Sequence, residues 1–155
     1  MEITEAQALK AQILEACTGK VQERMEEALA AMNRAADAAL SEEKSSAGDK
    51  YETGRAMGYL DRERYAQVLQ QAKTELQFYQ QLKHEQHPQR AAPGVLVGAG
   101  SMFILLATGI GRLNVAGHPV MVVSILSPLG QKLRGLSVGD SFSMGEQQHR
   151  ISFLV

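Results

Sequence analysis

Tryptophan is missing from this 155-residue chain, cysteine occurs once, and aromatic residues make up only 5% of it. With Cys17 alone, no intrachain disulfide can form. So few aromatic rings argue against an aromatic-lined ligand pocket. Long apolar runs are also lacking. The longest, around Met102–Ala107, is far too short to span a bilayer. The opening residues Met1-Glu2-Ile3-Thr4-Glu5 have neither the basic nor the apolar region of a signal peptide, so a cytoplasmic protein is expected. An excess of positive charge is missing too. The net charge of −1 argues against a general nucleic-acid binder held by phosphate contacts. No Walker motif, dinucleotide-binding fingerprint or zinc-ligand spacing occurs.

What is present divides into two textures. Residues 1–83 carry 11 Lys and Arg against 14 Asp and Glu, whereas residues 84–155 carry 5 against 3. The first half is therefore net acidic and the second net basic. From Ile3 to Leu40 there is no proline and only one glycine, Gly19, and good helix formers dominate. Leu14, Val21, Ala28 and Ala35 form one row at heptad spacing, and Met25, Met32 and Ala39 form its neighbour. Such rows describe a coiled-coil seam. The pattern stops at Ser41–Gly48, where serine and glycine mark a turn.

A second helical pattern runs from about Asp49 to Leu82, with Tyr51, Gly58, Tyr65, Ala72 and Tyr79 seven residues apart. Two long helices joined by a short loop are expected to pair antiparallel. Alanines of the first helix and Gly54 and Gly58 of the second predict close backbone approach near the tip. The expected organisation is a helical hairpin over 1–83 with its tip at about 41–50, a linker over 84–94, and a β-rich domain over 95–155. In that domain Met102–Leu106 and Val120–Leu126 read as buried strands bounded by glycine-rich turns, and Asn114–His118 reads as a hairpin connection. Ser127 and Pro128 read as the cap and first residue of a short helix that Gly135 closes. Two last strands are expected at Asp140–Met144 and His149–Val155, turning at Gly145-Glu146. The fold class is α+β, with four or five strands packed on one helix.

The run from Ser127 to Phe142, SPLGQKLRGLSVGDSF, resembles the C-terminal signature of the Gre-type transcription elongation (transcript cleavage) factors. There a Ser-Pro opens a short helix, a Leu and a Gly close it, and a Val-Gly-Asp enters a strand. The N-terminal hairpin is similar in architecture to that family's. The resemblance implies an FKBP-like C-terminal domain that docks on RNA polymerase, with Ser127, Pro128 and Leu129 as partner-binding residues. It also implies a hairpin that enters the polymerase secondary channel. The family's tip has an Asp and, three residues later, a Glu. Gly48-Asp49-Lys50-Tyr51-Glu52 has that spacing, so Asp49 and Glu52 become the catalytic and metal-binding pair. The chain is implied to be no enzyme itself and to have no cofactor of its own. Its tip would share the Mg²⁺ of the polymerase active site, which commonly takes one or two protein carboxylates. Nucleic acid would be met only within the transcription complex, and neither a membrane nor a small-molecule substrate is expected.

Other readings stay open. Asp49 and Glu52 in a first helical turn also suit the helix dipole. Glu42 and Glu43, across the loop, are further acidic candidates, while Lys44, Lys50 and Arg55 are solvated charges or phosphate contacts. The chain could block the channel without stimulating cleavage, or act as a coiled-coil scaffold. Thr53-Gly54-Arg55-Ala56 departs from the Asn-Ala-Glu-Tyr type sequence that follows the family's Glu. The FKBP-like fold raises prolyl isomerase activity, against which the scarcity of aromatics speaks. His84, His87, His118 and His149 have no triad-like or metal-ligand partners in sequence, and Cys17 falls beside the seam.

Overall fold

The structure is a computed structural model. It describes residues 1–43 and 48–155; the side chains at 39, 42, 43, 48–53 and 55 lie outside that description. The fold is α+β, with two long helices followed by a mixed sheet. Helix α1 spans Ile3–Glu43 and α2 spans Gly48–Gln81. Ser41 does not end α1 as expected. The good helix formers Glu42 and Glu43 carry it one turn further. The contacts of the chain fall into two compact units, Gly19–Phe78 and Met1–Thr18 with Tyr79–Val155.

In the first unit, Val21, Ala28 and Ala31 of α1 and Ala72 of α2 are buried. The partly or fully buried positions of α2 include 54, 58, 61, 65, 68, 72 and 75, a series that alternates steps of four and three. That is the seam spacing of paired helices. Gly54 and Gly58 are both half-buried on it, whereas Ala30 and Ala38 of α1 face solvent. One layer of the seam is ionic: Arg24 Nη1 donates to Glu75 Oε2 at 2.9 Å. A charged pair there tolerates only the matching register, because any slip leaves a half-buried charge without its partner.

The second unit is built on a five-stranded sheet. Its strands are β1 (Leu96–Ala99), β2 (Met102–Ala107), β3 (Gly111–Val115), β4 (His118–Ser124) and β7 (Phe153–Leu154), in the order β3-β4-β2-β1-β7. Strands β2 and β4 are parallel and the other pairs antiparallel. Every residue of β1 is buried, as are five of the six in β2, and both read as continuous apolar runs. The outer β3 alternates in burial, as an edge strand with one wet face does. Its hairpin to β4 turns through Ala116 and Gly117, both at positive φ (51° and 79°), the two-residue geometry that matches strand twist.

A short helix α3 (Pro128–Leu133) packs on the sheet, and a separate hairpin joins β5 (Ser141–Met144) to β6 (Gln147–Arg150). Val97, Ile104, Leu106, Leu133, Phe142 and Ile151 lie at the centre of the core cluster. The expected single strand over 149–155 is broken in two. Ile151 still bonds Asp140 and Gly139, but Ser152 N donates to Gly98 O, and β7 then pairs with β1. The chain changes sheets between those two residues because β1 offers an open edge, which local alternation does not record. At that edge Gly98 makes room for Phe153, whose ring a Cβ on residue 98 would strike.

The segment 84–94 is tied down at its far end. Ala91 N donates to Leu136 O, and Gly135 N donates to Ala91 O, both at 2.8 Å. Within the same unit, Ala6, Leu9, Ile13 and Cys17 bury one stripe of α1, and Tyr79 is buried on α2.

Candidate functional site

Asp49 and Glu52 fall in the first turns of α2, and their side chains lie outside the described residues, as do those of Glu42, Glu43, Lys44, Lys50 and Arg55. Among the described residues no cluster of three or more His, Cys, Asp or Glu could hold a metal ion.

The signature segment is described in full, and each of its small or polar residues has a local physical task. Ser127 is the N-cap of α3: its Oγ accepts from Gly130 N at 3.0 Å and donates to Ser124 O at 2.6 Å. Its hydrogen-bonding capacity is therefore engaged at home. Pro128 occupies the first turn, where its missing N–H costs nothing, and is exposed. Leu129 packs against the core cluster. Gly130 lies where α3 touches the chain leaving β4; a Cβ there would strike the Ser124 carbonyl and stand 2.8 Å from Ile125 Cα. No residue but glycine fits without moving backbone. Ser137 to Asp140 forms a tight turn with Gly139 at φ 94° in its third place, closed by Asp140 N donating to Ser137 O at 3.1 Å. The Asp140 carboxylate accepts from Ser137 N at 2.8 Å. Of the residues expected to bind a partner, Pro128 is thus the one presented to solvent. Leu126, expected within a buried strand, is 77% exposed because β4 ends at Ser124, and Val138 of the Val-Gly-Asp is 57% exposed.

The histidines are dispersed. His118 meets the Phe103 ring edge-on at 5.2 Å and His149 leans on Phe142 at 5.7 Å. His87 is exposed. His84 lines a cavity of about 200 Å³ together with Gln7, Lys10, Leu14, Glu85 and Val155. Lys10 is 8% exposed, and burial holds its ammonium below the usual lysine range, with the charge of Glu85 opposing that shift. Sequence reasoning passed over Lys10. The available signal was a lysine inside the apolar stripe of Ala6, Leu9 and Ile13. A second groove, of about 250 Å³, runs over Met102, Phe103, Leu113, Val120 and Met121, with Arg112 among its lining residues.

Cys17 is fully buried, and its thiol is pushed up to about 11 by burial. The Tyr79 hydroxyl hydrogen-bonds it and is itself pushed up, again mainly by burial. Neither group is a nucleophile at neutral pH. Among the described residues no helix is long and apolar enough to cross a membrane. Comparison with family models and with curated proteins finds no match to this chain.

Proposed function

We propose that the chain is a Gre-type accessory factor of bacterial RNA polymerase, acting in the cytoplasm. Its hairpin would enter the secondary channel, and its sheet-bearing unit would dock on the enzyme. Asp49 and Glu52 would share the polymerase Mg²⁺ and assist cleavage of backtracked RNA. Carboxylates so placed add ligands to a metal that activates water and stabilises the leaving oxygen. The observation that carries the reading is the joint presence of two features. A seam-paired helix couple of 41 and 34 residues shares a chain with a mixed sheet in which Ser127, Gly130, Gly139 and Asp140 each have a defined structural task. These are the small and polar residues of the Ser-Pro…Val-Gly-Asp run on which the resemblance rests. An FKBP-like fold for the sheet-bearing unit belongs to the same proposal.

A second reading has its own support. Thr53-Gly54-Arg55-Ala56 stands where the family has a further acidic residue, which favours a factor that occupies the channel without stimulating cleavage. Both readings share one requirement, binding to the polymerase. Coprecipitation of the full chain with purified bacterial core RNA polymerase tests it. Stoichiometric retention is expected. No retention at micromolar concentrations would leave the coiled-coil scaffold as the surviving account.

A further inference from the structure

The cavity lined by Lys10 has no part in the proposed polymerase function, and its chemistry is unusual. Lysine stems are commonly buried while their ammonium reaches water or a carboxylate. Here the whole residue is 8% exposed. Among the described residues no hydrogen bond or ion pair satisfies its ammonium. The charge that acts on it is that of Glu85, an exposed residue that forms no ion pair with it. Yet among the described residues no buried side-chain nitrogen or oxygen is left without a partner, so the ammonium keeps an opening to solvent. That opening is the cavity of about 200 Å³ that Lys10 lines.

The remaining walls define what would fit. Leu14 and Ala11 of α1 and the buried Val155 give an apolar floor. The Gln7 amide is already committed, donating to Gln86 O at 3.1 Å. His84 and Glu85 stand at the exposed side. An ammonium that is largely desolvated and has no bonded counter-ion favours an anion. The apolar floor favours one with a hydrocarbon part, and the volume is small for a drug-sized ligand. Glu85 disfavours a dianion such as a phosphate monoester.

We propose that this cavity is a binding site for a small organic monocarboxylate. Its carboxylate would pair with the Lys10 ammonium, and its apolar tail would lie on Ala11, Leu14 and Val155. This adds a small-molecule ligand that the family resemblance does not imply, and it stands whether or not the chain binds polymerase.

The test is an NMR titration of the full chain with sodium hexanoate, with hexanamide and sodium chloride as controls at matched concentration. Hexanoate is expected to give saturable shifts of the amides of Gln7, Lys10, Ala11 and Leu14, and the controls are not. Lys10→Met keeps the length of the side chain and removes the charge. It loses a charge-assisted hydrogen bond, so affinity should fall about tenfold or more. Its own melting temperature should not fall, because an unpaired buried charge is replaced by an apolar chain. Glu85→Gln acts without touching the apolar floor and should tighten hexanoate about threefold, by relief of repulsion. An equal response to hexanamide would reduce the site to a greasy pocket and overturn the proposal. So would hexanoate affinity unchanged in Lys10→Met, hexanoate affinity lowered in Glu85→Gln, or the absence of any saturable shift.

Discussion

The hydroxyl of Tyr79 lies 2.8 Å from Thr108 Oγ1, joining α2 to the connection that follows β2. Tyr79 also hydrogen-bonds Cys17 of α1, so one phenol links three segments far apart in sequence. Because the group is buried, this small network specifies an arrangement as well as stabilising it.

Tyr79→Phe removes the hydroxyl and leaves Thr108 and Cys17 without it. The expected cost is about 1 kcal/mol, measured by urea denaturation. Thr108→Val should cost a similar amount. The double variant should be less destabilised than the two single effects added together, since each substitution removes the same bond. Strict additivity would show that the two oxygens are not coupled.

Burial of the same two groups makes stability fall in alkali. The Cys17 thiol titrates at about 11 in the folded chain against an ordinary 9.0. The unfolded chain therefore releases this proton first. Its contribution is fully present below pH 9.0 and is lost as pH rises toward about 11. The slope cannot exceed about 1.4 kcal/mol per pH unit for one proton. Tyr79, also pushed up by burial, adds a loss of the same sign at still higher pH. Unfolding free energies measured across this range for the wild type and Cys17→Ser should differ in slope. Equal slopes would mean that the thiol ionises as freely in the fold as out of it.

Two glycine-to-alanine substitutions should have opposite signs. Gly19 is an exposed interior residue of α1 with nothing within 4 Å of where a Cβ would stand. Gly19→Ala should therefore raise stability by about 0.5–1 kcal/mol through helix propensity. Gly130→Ala meets the backbone of Ser124 and Ile125 and should cost about 1–3 kcal/mol. Thermal melts of the two variants provide the comparison. A neutral Gly130→Ala would show that α3 can move off the β4 exit.

What could be read from the sequence was local. The helices follow from propensity and period, the α3 cap from Ser127-Pro128, and the last hairpin turn from Gly145, which adopts φ 58°. Strand β1 was missed because Leu96–Ala99 is four residues long, follows Pro93-Gly94 and includes Gly98. Its strand character comes from pairing with β2 and with β7, the second of these partners more than fifty residues away. The ionic layer of Arg24 and Glu75 was missed for a related reason. Each is an ordinary surface residue by type, and only the pairing of two helices puts them opposite each other. Lys10 drew no notice in the sequence, and its burial depends on elements remote in sequence. The tip carboxylates Asp49 and Glu52 were legible as residue types at a helix start, but the task proposed for them would depend on a partner's metal.

The central claim is that the tip acts in the polymerase active site, and transcript cleavage in a stalled elongation complex tests it most directly. Wild-type chain should bind core polymerase and accelerate release of the short 3′ RNA fragment. Asp49→Asn combined with Glu52→Gln should bind equally well and give no acceleration, because an amide keeps the shape and withholds the charge that Mg²⁺ requires. Raising Mg²⁺ should partly restore the single variants. Binding and cleavage that persist undiminished in the double variant, or a wild type that never binds the enzyme, would contradict the account.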